Sequence, residues 1–244
     1  MDKKKFLFVS LDGYIADIAW RVVQEGHEVR LSISDERESD IGDGFVPKTK
    51  DWKQDVDWAD VIVFDDTLGQ GKIAQTLRKQ GKLVVGGTPY ADRLEDDRAF
   101  GQEEMRLAKI PTIPSQSFTS FDEAIEFVKT HPTRYVVKPS GNIPSIKQLL
   151  FVGEEDDGQD VLRVLEAYKK TWGAKMKIFQ LQRRVMGVEV ACGAFFNGKE
   201  FLFPININFE HKKLFPGNIG PSTGEMGTLC FWSESNRFFH ATLK

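Results

Sequence analysis

The sequence predicts an α/β protein in which a domain built on a parallel sheet precedes a smaller α+β unit and a set of antiparallel strands. Short apolar runs alternate with helical patterns over the first part of the chain. A connector that contains Pro111 and Pro114 then marks a change in character. Further on, the dipeptide Asn197-Gly198 lies between two apolar runs and favours a β-hairpin. These three observations define the predicted fold class.

The first domain is predicted from short apolar runs that have the length and composition of strands. The runs cover residues 5–10, 28–33, 61–64 and 82–85. Apolar residues recur at helical spacing from Ile15 to Val23, and a second helix is predicted near residues 70–80. Strands that alternate with helices in this way predict a parallel, doubly wound, Rossmann-like sheet.

The rest of the chain is predicted to form two smaller units. Pro111 and Pro114 exclude a helix between them, so we place the first boundary there. The predicted domains are residues 1–115, 116–186 and 187–244. The elements predicted after the boundary are helices at 121–130 and 159–170, strands that end at Lys138 and near Gln182, and strands at 188–196 and 200–205. Asn197-Gly198 predicts a type I′ turn between the last two strands, because both of its residues tolerate positive φ.

The composition excludes two broad classes of function. The 33 basic and 36 acidic side chains give a formal charge of -3 and are interspersed, so no basic surface is predicted to attract nucleic acid. No apolar run approaches the roughly 20 residues that span a bilayer, and the opening MDKKKFLFVS leads into a strand instead of forming a signal peptide. We therefore expect a cytoplasmic protein with neither nucleic acid nor a membrane as partner.

Two positions in the first domain are candidates for anion binding. The turn at residues 10–13 lacks the G-x-G-x-x-G pattern of dinucleotide sites, and Asp12 would repel an anion, so we interpret the turn as a helix cap. Arg98 is predicted to lie one turn inside a helix that opens at residues 94–100, where a cation gains nothing from the helix dipole. It is either a ligand for another anion or an ordinary exposed arginine.

Two features of the second half combine positive charge with flexible backbone. Lys138 ends an apolar strand and precedes Pro139-Ser140-Gly141, so it is either a phosphate ligand or a lysine that extends to solvent from a strand end. The glycine-rich stretch at 217–227 follows His211 and Lys212 and is predicted to be a loop. Such a loop either serves a turn or binds a phosphorylated or carboxylate substrate through its backbone N–H groups.

These features fall into five blocks that follow one another in the order found in the glycinamide ribonucleotide synthetase (phosphoribosylamine-glycine ligase) family. The blocks are Gly86 to Phe100, Ile110 to Thr112, Val136 to Gly141, Gly187 to Val190 and His211 to Gly227. The last block, H-K-K followed by G-P-S-T-G-E-M-G, is similar to the family's H-K-R and G-P-N-T-G-G-M-G. The resemblance implies a Rossmann-like domain followed by a partial ATP-grasp domain, made of an α+β lid subdomain and the start of a larger antiparallel subdomain.

The resemblance also implies an activity, that of an ATP-dependent carboxylate-amine ligase of purine biosynthesis. In that family ATP phosphorylates the glycine carboxylate, and the amine of phosphoribosylamine then displaces phosphate to form an amide. The residues placed at the ATP are Arg98, Lys138, Gln182, Arg183, Arg184, Val185 and Glu189. The residues placed at the substrates are His211, Lys212, Thr223 and Gly224. Lys138 and Arg98 match phosphate-binding positions, the segment from Gln182 to Val185 matches the adenine site, and Glu189 lies near the ribose.

The sequence departs from the family pattern at several positions. The glycine-rich lid is replaced by residues 142–147, and Glu210 and Glu225 stand where the family has Asp and Gly. The family's Mg²⁺ ligands, a Glu and an Asn on later strands, are expected beyond residue 244. Glu234 and Asn236 lie in a hydrophilic stretch that we interpret as a loop, so neither is assigned to a metal, and no catalytic residue is assigned.

Several expectations follow from these departures. We expect weak ATP binding, no amide formation by this chain alone, and association with a second chain that completes the larger sheet. The alternative function is a noncatalytic nucleotide-binding or metabolite-binding remnant of an ATP-grasp protein. A further alternative is an unrelated two-domain α/β protein in which these blocks serve packing only.

Overall fold

The structure is a computed structural model that describes residues 2–65, 69–140, 149–173, 175–234 and 236–242. The chain forms two compact units, residues 1–109 and residues 110–244. Within the described ranges, no helix is both long enough and apolar enough to cross a membrane.

The first unit is built on a parallel sheet of four strands in the order β2-β1-β3-β4, which confirms the predicted fold class. Its strands are β1 (Lys5–Ser10), β2 (Glu28–Ile33), β3 (Val61–Phe64) and β4 (Leu83–Val85). Its helices are α1 (Ala16–Gln24), α2 (Gly71–Lys79), α3 (Pro89–Asp96) and α4 (Arg98–Leu107). On one face Phe8 packs with Ala19 of α1, and on the other Leu7 packs with Ala74 and Leu77 of α2. Both faces are covered because successive strand residues point to opposite sides.

The second unit begins with an antiparallel sheet of four strands in the order β5-β8-β6-β7. The strands are β5 (Ser115–Phe118), β6 (Tyr135–Ser140), β7 (Phe151–Val152) and β8 (Ile178–Arg183), and the helices are α5 (Phe121–Thr130) and α6 (Gln159–Trp172). One face of the sheet carries Val137, Phe179 and Leu181, which are buried in one core with Val128 of α5 and Leu165 of α6. This sheet is referred to below as the lid sheet.

The start of the second unit lies a few residues before the boundary that we placed at residue 115. The physical reason is that β5, which follows the proline connector directly, pairs with β8 along its whole length. The further division of this unit at residue 186 stays a prediction.

The chain then forms an antiparallel sheet of three strands in the order β11-β10-β9, followed by a short helix. These elements are β9 (Ala191–Gly193), β10 (Ile205–Phe215), β11 (Ile219–Ser233) and α7 (Arg237–Thr242). Phe239 of α7 packs on Ile205 and Ile207 of β10, and all three side chains are buried. Leu229 and Phe231, on the same face of β11, remain exposed.

Two sequence predictions in this region are wrong. The glycine-rich stretch that was predicted as a loop lies mostly in β11, because its backbone pairs with β10 on both sides of a register shift. The turn at Asn197-Gly198 is not of type I′, since Gly198 has a φ of 94° while Asn197 does not adopt a positive φ. Asn236 lies between β11 and α7, in the loop that was predicted, and its Oδ1 accepts the N–H groups of Phe238 and Phe239 at the start of α7.

Candidate functional site

The lid sheet has a polar face opposite its helices, and this face carries two of the predicted ATP ligands. Lys138 pairs in register with Gln180, and Val136 pairs with Gln182. Residues that pair directly across antiparallel strands lie on the same face. Lys138, Gln180 and Gln182 therefore share the polar face. Nε2 of Gln180 lies 3.3 Å from the hydroxyl oxygen of Ser117, so polar side chains of β5 and β8 lie in a row that continues to Lys138 of β6.

The segment predicted to line the adenine, Gln182 to Val185, starts within the end of β8, and its side chains lie in different surroundings. Arg183 pairs with Tyr135, so its side chain lies on the helix side of the sheet, away from Lys138. Burial raises the pKa of Tyr135, and the charge of Arg183 opposes that shift. The backbone N–H of Arg183 donates to the carbonyl of Pro114 over 2.9 Å. Val185 is exposed.

Arg184 is held by groups on two other segments. Its backbone N–H donates to the carbonyl of Arg134 over 2.9 Å. Its Nη1 donates to the carbonyl of Gly153 over 2.8 Å and lies 2.5 Å from a carboxylate oxygen of Glu154. Gly153 and Glu154 come directly after β7, so Arg184 connects the end of β8 to the end of the edge strand of the lid sheet. We refer to this set of contacts as the Arg184 brace.

Arg98 lies in the first unit, at the first residue of α4 and not one turn inside a helix as predicted. The predicted helix is divided at Asp97, whose side chain accepts the N–H of Phe100 and so starts a new helix. The Arg98 side chain is exposed. The Asp97 carboxylate already caps the start of α4, so the positive charge available to an anion there is that of the Arg98 side chain.

The substrate residues predicted from the glycine-rich block lie around an irregularity in the β10-β11 ladder. His211 pairs with Gly227 and Lys213 pairs with Ser222, so the register shifts at Lys212. The residues between the two pairs on β11 are 223–226, which include Thr223 and Gly224. The hydroxyl of Thr223 donates to the carbonyl of Lys212 over 2.9 Å. A β-bulge of this kind changes the direction in which a side chain points.

At this bulge the Lys212 ammonium lies between two carboxylates. Its Nζ is 2.5 Å from Oε1 of Glu189 and 3.2 Å from Oε2 of Glu210. Hydrogen bonds to Glu189 and then Glu210 raise the pKa of Lys212 against the opposing effect of burial. We call these three residues the Lys212 triad. His211 is not part of it, because its Nε2 lies 3.1 Å from the carbonyl of Phe215 at the end of the strand.

The first unit has a cavity of about 800 Å³ at the carboxyl end of β2. It is lined by residues 32–34 and by the segment from Lys48 to Lys53. The walls carry both lysines and acidic side chains, so no single charge dominates. None of the predicted site residues lines this cavity.

A family model described as phosphoribosylglycinamide synthetase, ATP-grasp (A) domain, matches residues 96–240, more than half of the chain. The chain belongs to this family.

Individual members of the phosphoribosylglycinamide synthetase family are similar over different lengths. The phosphoribosylamine-glycine ligase of Methanocorpusculum labreanum is 31% identical over 167 residues, which are 68% of this chain and 36% of that protein. The enzyme of the same name from Rhodopirellula baltica is 25% identical over 94% of this chain and 55% of its own length. The chain thus spans about a third to about half of these relatives.

The fold is shared with solved ATP-grasp structures. The crystal structure of phosphoribosylamine-glycine ligase from Thermotoga maritima has a TM-score of 0.65 at 18% identity, over 92% of this chain and 55% of that one. This likeness agrees with the predicted order of a Rossmann-like domain followed by part of an ATP-grasp domain.

Two residues of this chain lie beside predicted site residues but were not predicted as site candidates from the sequence. Gln180 is buried beside Lys138, and its alternation with Phe179 and Leu181 in β8 was a period-two signal that could have placed it on the polar face. Glu210 was identified only as the residue that stands in place of the family's Asp, although its carboxylate contacts Lys212. The glycine-poor lid at residues 142–147 lies outside the described residues.

Proposed function

We propose that this chain carries the ATP-binding part of a carboxylate-amine ligase of the phosphoribosylamine-glycine ligase type. The observation that carries the proposal is the shared polar face of the lid sheet, on which Lys138 and Gln182 lie next to the segment that leads to Glu189. A lysine on this face suits a phosphate as a point charge. Val185, within this segment, is exposed and suits contact with a planar base.

ATP fits the donor groups that are present. We assign the ATP phosphates to Lys138 and the adenine to the backbone from Gln182 to Val185. Glu189 is assigned to the ribose hydroxyls and Arg98 to a second phosphate contact. The Arg183 side chain lies on the other side of the sheet, and Arg184 is bound in its brace, so both contribute through backbone position and not as side-chain ligands.

The substrates we propose are an amino acid carboxylate and a phosphorylated amine. ATP transfers its γ-phosphoryl group to a carboxylate oxygen, which releases ADP. The amine nitrogen then attacks the acyl carbon, phosphate leaves, and the nitrogen loses a proton as the amide forms. His211, Thr223 and Gly224 are assigned to the substrate side of this site. Such groups position the reactants and stabilise the developing charge, and these two effects account for most of the catalysis of phosphoryl transfer.

Mg²⁺ is the second cofactor implied by the family. The described residues bring together no group of three His, Cys, Asp or Glu side chains that could hold a metal ion. We therefore assign no metal ligand and no step through a metal to these residues.

We also propose that β11 pairs with a strand of a second chain. In the described part of the chain β11 is the outer strand of its sheet, and it exposes 65% of Leu229 and 43% of Phe231. Both lie on the face that carries the buried residues Ile205 and Ile207. An added strand would cover this apolar edge and satisfy its backbone groups. We place the protein in the cytoplasm, where purine synthesis would supply its substrates.

The test of the nucleotide site is ATP binding, measured by calorimetry, in variants of one lysine of the lid sheet and one lysine of α5. Lys138→Met should weaken binding by about 1–3 kcal/mol, since it removes a charged hydrogen bond. Lys129→Met is the matched control, because Lys129 is exposed in the last turn of α5, on the other side of the sheet. ATP binding that is unchanged in Lys138→Met would remove this residue from the site. After incubation of the chain alone with ATP, glycine and phosphoribosylamine, mass spectrometry should detect no amide, and turnover near one per second would contradict that expectation.

A further inference from the structure

The Lys212 triad has a geometry that was not expected of a substrate-binding lysine. Lys212 lies on β10 opposite the extra residues 223–226 of β11, and its carbonyl accepts the Thr223 hydroxyl. This contact fixes the backbone from which the side chain extends. The ammonium contacts the carboxylates of Glu189 and Glu210 at 2.5 Å and 3.2 Å.

The charge around this ammonium does not favour an anionic substrate. Two carboxylates and one ammonium leave a net negative charge, so a phosphate or carboxylate that approached Lys212 would meet repulsion as well as attraction. The ammonium has three N–H donors, of which Glu189 and Glu210 engage two. Lys212 is therefore already committed to two carboxylates of its own chain.

Glu189 is the member of the triad that gains most from the contact. It lies in the irregular segment between β8 and β9, and 68% of its side chain is exposed. An exposed glutamate on an irregular segment samples many rotamers, and that freedom is lost when it binds a ligand. A contact that restricts the carboxylate beforehand lowers this cost. Glu210, which lies two residues away on the same strand, in turn restricts the position of the Lys212 ammonium.

We propose that Lys212 is a positioning residue that holds the Glu189 carboxylate toward the ribose hydroxyls of the nucleotide. The inference rests on the proposed ATP-binding function and changes the role of Lys212 within it. Lys212 acts through Glu189 and does not contact the anionic substrate. Lys212 therefore increases the affinity only of nucleotides that carry ribose hydroxyls.

The experiment compares the affinities of ATP and 2′,3′-dideoxy-ATP, measured by calorimetry on the full chain. In the unmodified protein ATP should bind more tightly, and Lys212→Met should weaken ATP by about three- to tenfold, the size of one hydrogen bond, while leaving the dideoxy compound unchanged. Lys212→Arg should restore most of the preference, because it keeps the ion pair. Lys213→Met is the matched control for loss of a neighbouring charge, and it should keep the full preference.

Two further measurements keep the result interpretable. Glu189→Gln should also reduce the preference for ATP, and the double variant with Lys212→Met should show no further loss, since both changes break one unit. Raising the salt concentration should reduce the preference in the unmodified protein, because exposed charges are screened. This measurement does not depend on whether any variant folds.

The outcomes separate the inference from the proposed function. If the unmodified protein binds neither nucleotide, the proposed function fails and the inference fails with it. If it binds ATP but Lys212→Met keeps the preference over the dideoxy compound, the proposed function stands and the positioning role is overturned. An equal loss for both nucleotides would also overturn it, because such a loss indicates a general structural effect.

Discussion

The Arg184 brace offers a prediction whose size follows from two contacts of one side chain. Arg184 donates to the carbonyl of Gly153 and also forms an ion pair with Glu154. Arg184→Met removes both contacts and keeps most of the aliphatic stem, whereas Glu154→Gln removes only the charge of the ion pair. The two variants therefore separate the hydrogen bond to the backbone from the ion pair.

The two contacts differ in solvent exposure, and this difference sets the expected magnitudes. Only 17% of the Arg184 side chain is exposed, so its loss leaves the carbonyl of Gly153 without a charged donor and costs about 1.5–3 kcal/mol. The Glu154 side chain is 71% exposed, so its ion pair is screened by water and is worth less than about 1 kcal/mol. We expect Arg184→Met to be clearly the more destabilising change.

The assay is hydrogen exchange followed by mass spectrometry, because the two units need not unfold together and a single unfolding curve would mix them. A loss of 1.5–3 kcal/mol corresponds to roughly a tenfold to hundredfold increase in local opening. This increase should appear in peptides that cover β7 and the end of β8 in Arg184→Met. Peptides from α1 in the first unit serve as the internal reference. Equal exchange in both variants, or unchanged exchange in Arg184→Met, would refute the reasoning.

Three other predictions concern the core, the exposed edge and the response to pH. Leu181→Ala should destabilise the lid sheet by about 2–5 kcal/mol, measured by hydrogen exchange in peptides from that sheet, because Leu181 is 1% exposed in a packed core. Phe231→Lys should shift the purified chain toward monomers in sedimentation velocity, and a chain that is already monomeric would contradict the proposed pairing of β11. The side-chain hydrogen bond from Arg37, followed by its backbone N–H, lowers the pKa of Asp35 from 3.8 to about 2. Because this pKa is lowered in the folded state, the ionised Asp35 carboxylate stabilises the folded protein above pH 3.8, and this stabilisation is lost as the pH falls toward 2. Arg37→Gln should therefore raise the pKa of Asp35 in an NMR titration.

The first unit could be predicted closely from the sequence because its signals are local. Strands β1, β3 and β4 are largely continuous apolar runs, as expected of a parallel sheet covered on both faces. Arg98 shows the limit of such signals. Its place at the start of α4 depends on Asp97, which acts as the cap of a new helix within a stretch that has helical character on both sides.

The second unit was harder to predict because its structure depends on distant partners. The stretch that forms β11 is rich in glycine and polar residues, and only its pairing with β10 makes it a strand. α7 depends on the packing of Phe239 against Ile205 and Ile207. The contact between Lys212 and Glu189 joins residues 23 positions apart. No periodicity in the sequence encodes such a contact.

The most direct test of the account is a crystal structure of the chain with a non-hydrolysable ATP analogue. We predict that the phosphates lie within hydrogen-bonding distance of Nζ of Lys138 and that the adenine lies against the backbone of residues 182–185. The ribose hydroxyls should face the carboxylate of Glu189. A nucleotide found instead in the cavity at the carboxyl end of β2, with the polar face of the lid sheet empty, would contradict the account.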